Sequence, residues 1–159
     1  GQDLTYSGTV TAAIEAAIFG VPGIAVSLDL DSPPLSIEVF KTPARIARQL
    51  ITQIMARGLP AKMPLNINIP DLPSDQIRGV QVTRQGNRVY RDQLIRREDP
   101  FGVPYYWIGG EPPSALPEEG SDYAALKAGY VSITPLQLSM TDPQRLEEMK
   151  AWEWKLELD

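Results

Sequence analysis

Apolar residues recur at Val10, Ala13, Ile14, Ala17 and Ile18, a spacing of three and four that gathers them on one face of a helix. Glu15 falls off that face, Gly20 supplies a stop, and Pro22 prevents continuation. Residues 23–28 are almost continuously apolar, which predicts a strand covered on both faces. Helix followed by buried strand is the second half of a βαβ unit. Residues 29–34 read as a polar, proline-containing loop. A second helix is predicted over 43–57, with Thr42 as its cap and Pro43 at its first position. Ala47, Leu50, Ile51, Ile54 and Met55 form its apolar face, and Gly58 and Pro60 end it. Strict alternation over 65–69 predicts a strand with one apolar face, closed by Pro70 and Pro73.

Beyond that point the pattern becomes β-rich. Residues 79–84 and 88–95 flank Gln85, Gly86 and Asn87, which reads as a hairpin with a short glycine turn. Residues 104–109 form a compact aromatic segment, and 112–120 a loop. Asp122 is predicted to cap a short helix reaching Lys127, stopped by Gly129, with a strand over 130–136. Asp142 and Pro143 start a last helix, with Leu146, Met149, Trp152 and Leu156 in a narrow stripe suited to docking on a neighbouring subunit or back on the core. The division falls near 72–77. Residues 1–73 read as the later part of an α/β core, 74–141 as a β-rich extension, and 142–159 as a C-terminal helix.

Composition narrows the chemistry. The 159 residues carry 15 basic and 20 acidic side chains, a net charge of −5 that argues against a long nucleic acid as partner. No apolar run approaches the ~18 residues of a membrane span. There is no cysteine, so disulfides and thiolate metal sites are excluded within the chain. There is no histidine, which excludes an imidazole base, a Ser-His-Asp triad and imidazole zinc sites.

The opening segment carries the chemistry that remains. Ser7, Gly8 and Thr9 stand where a helix leaves its first amides without partners, and such an end attracts anions, phosphate above all. Their residue types fit either a phosphate contact or plain helix capping. A phosphate loop of this kind normally follows a strand, and none precedes it here. The sequence, which begins at Gly1 and not Met, therefore reads as the later part of a larger α/β protein.

Six strings in order resemble one family. Residues 3–13 are similar to the TYSGTVxAA stretch of the SurE proteins, and 20–28 to their IAVSL strand. Residues 65–70 resemble the LNVNVP strand, and 82–86 the VTRxG turn. Residues 99–109 resemble the DPxGxPYYWIG signature, and Ser121 and Asp122 followed by 128–136 the TD…GYVSITPL ending. The resemblance implies an α/β fold: a Rossmann-like, mostly parallel sheet whose N-terminal strands are missing from this chain, with a β-rich, hairpin-containing C-terminal extension. It also implies a cytoplasmic nucleotidase that removes phosphate from nucleoside 5′- or 3′-monophosphates with a divalent metal, Mg²⁺ or Mn²⁺. A homodimer or homotetramer assembled through the C-terminal elements is implied too. The family's metal ligands would lie before Gly1, so no ligand is carried over to this chain. Some relatives have a histidine soon after the aspartate matching Asp122, where this chain has Tyr123, Ala124 and Ala125.

On this resemblance Ser7, Gly8 and Thr9 are expected to hold the substrate phosphate, and Asp3 is a candidate carboxylate behind the site. Asp3 reads equally as a solvated loop acid. Asn66 and Asn68 read as a strand face turned to water. Tyr105, Tyr106 and Trp107 read as packing or subunit contact, with base stacking as the alternative. Arg88, Arg91, Arg96 and Arg97 read as a solvated or intersubunit hairpin face, with phosphate steering as the alternative. Asp122 reads as a cap, with a hinge or salt bridge implied by resemblance. The competing reading of the whole chain is a non-catalytic assembly or phosphate-binding module lacking the metal site.

Overall fold

The computed structural model describes residues 2–30, 36–89, 92–110 and 114–157. Arg91, most of the loop after Asp29, and Pro112 lie outside the described residues.

A single 3-10 turn, Gln2–Tyr6, leads into helix α1, Gly8–Ile18. Ser7 is extended at φ −85°, and its Oγ accepts from the Val10 amide at 3.3 Å, a regular N-cap. At the other end the Gly20 amide donates to the Ala17 carbonyl and the Val21 amide to that of Ala16. Gly20 takes φ 76°, so α1 closes in a Schellman motif. Val10, Ala13 and Ala17 are buried as the spacing predicts, but Ile18 is 61% exposed. The buried stripe is therefore narrower than the apolar one.

Strand β1, Ile24–Asp29, pairs in parallel with β2, Leu65–Pro70. Between them runs helix α2, Lys41–Arg57. This helix differs from expectation at its start. A 3-10 turn, Ile37–Phe40, feeds directly into it and is itself capped by Ser36 Oγ on the Glu38 amide. Phe40 occupies the N-cap position without a side-chain bond, and Thr42 lies inside the first turn. Pro43 fits there because first-turn amides have no intrahelical acceptor. Ile46 joins Ala47, Leu50 and Ile54 on the packed face, while Met55 is 52% exposed.

The extension contains β3 (Val80–Val82), β4 (Arg88–Val89), β5 (Asp92–Glu98), β6 (Pro104–Gly110), β7 (Ser114–Ala115), α3 (Asp122–Lys127), β8 (Val131–Pro135) and α4 (Pro143–Lys150). The hairpin predicted across residues 79–95 does not form. β3 pairs in parallel with β8, and β4 pairs with β7. Gly86 has no positive φ, so it does not make the tight turn the hairpin requires. Its amide instead donates to Asp122 Oδ1 at 3.0 Å. The hairpin is β5 with β6, one segment later, and its turn carries Gly102 at φ 80° with Asp99 Oδ1 accepting from Phe101 and Val103. Ser121, not Asp122, caps α3, accepting from the Ala124 amide at 3.1 Å. Asp142 caps α4 as predicted, but the helix ends at Lys150. Trp152 and Leu156 lie beyond it, and the Trp152 and Trp154 rings pack 5.3 Å apart.

The main sheet has the order β1-β2-β8-β3, with β8 antiparallel to β2 and the other two pairings parallel. Its two faces differ in kind. Ile67, Ile69, Val131, Val26, Leu28 and Ile133 meet α2 on one face. On the other, register aligns Ser27 with Asn68, Asn66 with Thr134, and Asn68 with Ser132. Alternate residues share a face, so these side chains form a polar surface. Val10 and Ala13 of α1 pack over its Ala25 end, with α3 against β2 and β8. Three layers result, and α1 approaches closely because Gly23 has no side chain: a Cβ there would lie 2.0 Å from the Ala13 carbonyl oxygen.

Candidate functional site

A cleft opens on the polar face, lined by Asp3, Ser7, Ser27, Asn66, Asn68 and Arg88. It lies beside the N-terminus of α1 and toward the carboxyl ends of β1 and β2, where open α/β sheets bind ligands. The amides of Gly8 and Thr9, the first two of α1, have no acceptor inside the helix. Both residues are exposed on the first turn, and nothing crowds a Cβ built at Gly8 within 4 Å. Ser7 is half-buried and faces the cleft while capping the helix. Of the two roles weighed from sequence, phosphate contact and helix cap, the cap is formed, and the same residue also lines the cleft.

Arg88 supplies the cation. It leaves the hairpin grouping expected from sequence and sits on β4, where its Nε donates to Asp3 Oδ2 at 2.8 Å. That bond uses one of the five guanidinium N–H groups. Asp3 and Arg88 thus form an ion pair in the wall of the cleft. Arg96 stays on the hairpin, paired with Glu98 and exposed, and Arg97 is exposed there too.

Asn66 overturns the water-face expectation. It is 2% exposed, and its Oδ1 has no hydrogen-bond partner among the described residues. An unpaired buried acceptor costs about 1–3 kcal/mol, so the cleft floor calls for a donor such as water or a hydroxyl. Alternation with isoleucine hid this. A clue lay in β8, whose Ser132 and Thr134 continue the polar face and make it wide enough to be roofed. Thr83 Oγ1 bonds both hydroxyls, at 2.9 and 2.8 Å, closing the far side of that face.

A second concavity adjoins the first through Asn68 and Arg88 and adds Asp29, Asp122, Tyr123 and Leu126. Asp122 is 3% exposed and accepts from the amides of Gly86 and Tyr123, which clamps residues 84–87 to α3. Arg84 extends the clamp to Glu118 at 2.8 Å. The Arg84 hydrogen bond, and then that of Asn87, hold the Glu118 carboxyl below its ordinary 4.5. Tyr105, Tyr106 and Trp107 lie on β6, away from both concavities, and each is substantially exposed.

The family model for survival protein SurE matches residues 1–92. The chain belongs to the SurE family. The 5′-nucleotidase SurE of Chloroflexus aggregans is 48% identical over 98% of this chain and 60% of that protein. The corresponding protein of Aeromonas hydrophila is 47% identical over 96% of the chain and 58% of its own length. The crystal structure of the SurE protein from Aquifex aeolicus superposes with a TM-score of 0.76 at 37% identity, covering 94% of this chain and 59% of that one. The chain therefore spans about 60% of the length of the SurE proteins it matches.

The SurE family implies a metal cofactor, and the described residues do not by themselves group acids into a centre for it. Among the described residues no three of Asp, Glu, His or Cys converge on one point. Asp3, the acid that lines the Ser7 cleft, is bound to Arg88.

Proposed function

We propose that the complete protein hydrolyses nucleoside 5′- and 3′-monophosphates to nucleoside and phosphate, using Mg²⁺ or Mn²⁺ held by residues outside this chain, and that this chain forms the phosphate wall of the site. The observation that carries the reading is Ser7, capping α1 beside Ser27 and Asn68 of the parallel strands and sharing one cleft with Arg88. In this reading the Gly8 and Thr9 amides and the Thr9 hydroxyl donate to phosphoryl oxygens, with the positive helix end behind them. Arg88, steadied by Asp3, adds a forked donor suited to a phosphate. These groups bind and orient the ester and offset charge that grows as phosphorus is attacked. The names of the matched relatives favour this reading over a non-catalytic assembly module.

The setting we propose is a cytoplasmic homodimer or homotetramer joined through the β5 and β6 hairpin, with no long nucleic acid and no membrane as partner. Support for the contact is the apolar surface of that hairpin: Leu94 is 69% and Ile108 79% exposed. No helix among the described residues is long and apolar enough to cross a membrane.

The test is phosphate release from adenosine and guanosine monophosphates by the complete protein, with Mn²⁺ and after EDTA. Metal-dependent release is expected. A folded, metal-loaded protein that releases none would overturn the reading.

A further inference from the structure

We propose that Glu118 is a positioning residue for Arg88: its carboxylate fastens residues 84–87 to the loop before α3 and so sets where the Arg88 guanidinium stands in the Ser7 cleft. The assignment rests on the nucleotidase reading above, in which Arg88 holds the substrate phosphate.

Of the groups on that wall, Arg88 has the least support from the main sheet. Ser27 and Asn68 belong to β1 and β2, and Ser7 caps α1. Arg88 belongs to β4, a strand of two residues paired with the equally short β7. Where so small an arm points depends on the chain that leads to it. Thr83 is still tied to β8, its amide donating to the Ile133 carbonyl at 2.9 Å. Residues 84–87 therefore span the gap between sheet and arm.

Backbone bonds fasten both ends of this span to the loop before α3. The Arg84 amide donates to the Gly120 carbonyl at 2.9 Å, and the Leu116 amide to the Asn87 carbonyl at 3.3 Å. Glu118 lies between those two loop anchors and uses both carboxylate oxygens on the span. Oε2 accepts from Arg84 Nη2 at 2.8 Å, and Oε1 from Asn87 Nδ2 at 3.0 Å. One planar carboxylate thus fixes the separation of the residues on either side of Gln85 and Gly86. Its own backbone is held as well: the Glu118 amide donates to the Leu116 carbonyl at 2.8 Å, and the Ser121 amide to the Glu118 carbonyl at 3.0 Å. Asn87 and Arg88 are chain neighbours with different partners, Glu118 for one and Asp3 for the other. Any shift of Asn87 passes directly to Arg88, and a misplacement of ~1 Å is enough to weaken a group that orients a substrate. Arg84, which lines neither concavity, has its task in this fastening and not in the cleft.

The experiment is a double-mutant cycle on the complete, metal-loaded enzyme, read as kcat/KM for guanosine monophosphate and as the inhibition constant of inorganic phosphate. Glu118→Ala is expected to lower kcat/KM about fivefold and to weaken phosphate inhibition in step. Glu118→Gln, which keeps an oxygen for one of the two partners, should fall between that variant and wild type. In an Arg88→Ala background Glu118→Ala should change neither quantity, because nothing is left for it to place. A loss of equal size with and without Arg88 overturns the assignment, since Glu118 then acts by another route. A Glu118→Ala enzyme as active as wild type overturns it too, and so does an Arg88→Ala enzyme that matches wild type; all three leave the nucleotidase reading in place. Wild-type enzyme that releases no phosphate overturns both. Should Glu118→Ala fail to fold, Arg84→Met, which removes the other end of the ion pair, goes through the same cycle with the same outcomes.

Discussion

Arg88 Nε and Asp3 Oδ2 meet at 2.8 Å across 85 positions of chain, tying the 3-10 turn Gln2–Tyr6 to the β-rich extension. Each side chain is about a third exposed, so the pair adds little to stability, under about 1 kcal/mol. Its weight falls on the site. Arg88→Ala should lower kcat/KM on nucleoside monophosphates by roughly 10- to 100-fold, the range of a lost charged hydrogen bond. Asp3→Asn should produce a smaller loss of the same kind, and the double variant should be less than additive. Kinetics and urea melts on the same samples separate the two effects.

Ser7→Ala should cost about 1 kcal/mol of stability, the value of a lost helix cap. Turnover should fall by more than that figure explains, about tenfold or beyond. Unchanged kinetics in a folded variant would remove Ser7 from the phosphate wall.

Two glycines make opposite predictions. At Gly23 a Cβ would lie 2.0 Å from a backbone oxygen, which no rotamer relieves. Gly23→Ala should therefore cost about 3 kcal/mol or more, by forcing α1 off the start of β1. At Gly8 the same atom meets open space, so Gly8→Ala should stay within about 0.5 kcal/mol of wild type. Thermal melts followed by circular dichroism rank the two directly.

Thr83→Val removes the hydroxyl that bridges Ser132 and Thr134. It leaves those buried groups short of a partner at nearly constant volume. A loss of about 1–3 kcal/mol is expected, read as a shift in the urea midpoint.

Glu118 gives a pH signature. Its carboxyl ionises more readily in the folded protein than in the unfolded chain. The folded state then binds fewer protons across the window below 4.5, so stability rises with pH there. The contribution is complete above the unfolded value and disappears as pH falls through the folded one. Glu118→Gln should flatten the upper part of the acid limb in a plot of urea midpoint against pH. The two proteins should converge at the most acid values.

The helices and the positions of the main strands were legible because period and punctuation agree locally: Ser7, Gly20, Gly58, Gly129 and Asp142 sit where capping physics needs them, although β1, expected to be covered on both faces, is an edge strand buried only at Ala25. Strand partners were not. Gly86 lies between two strand-like segments, as a hairpin glycine would, and only the fold reveals that its amide is claimed by Asp122. The site was half legible. Ser7 announced itself by residue type and position. Arg88 was hidden in a run of arginines, because what distinguishes it is a contact with a residue 85 positions away. Asn66 was misread because a polar residue alternating with isoleucine looks the same whether its face meets water or the underside of a helix.

The sheet therefore keeps two separate ledgers of variation along a single backbone. Changes at Ile67, Ile69, Val131 and Ile133 alter how firmly the layers hold. Changes one step away, at Ser27 and Asn68, alter the wall of the cleft that a visiting molecule meets. Because the strands are hydrogen-bonded to one another, that surface cannot shift piecemeal. New preferences in this lineage can arise by single exchanges at Ser27 and Asn68, which line the cleft and stand outside the buried Thr83, Ser132 and Thr134 cluster.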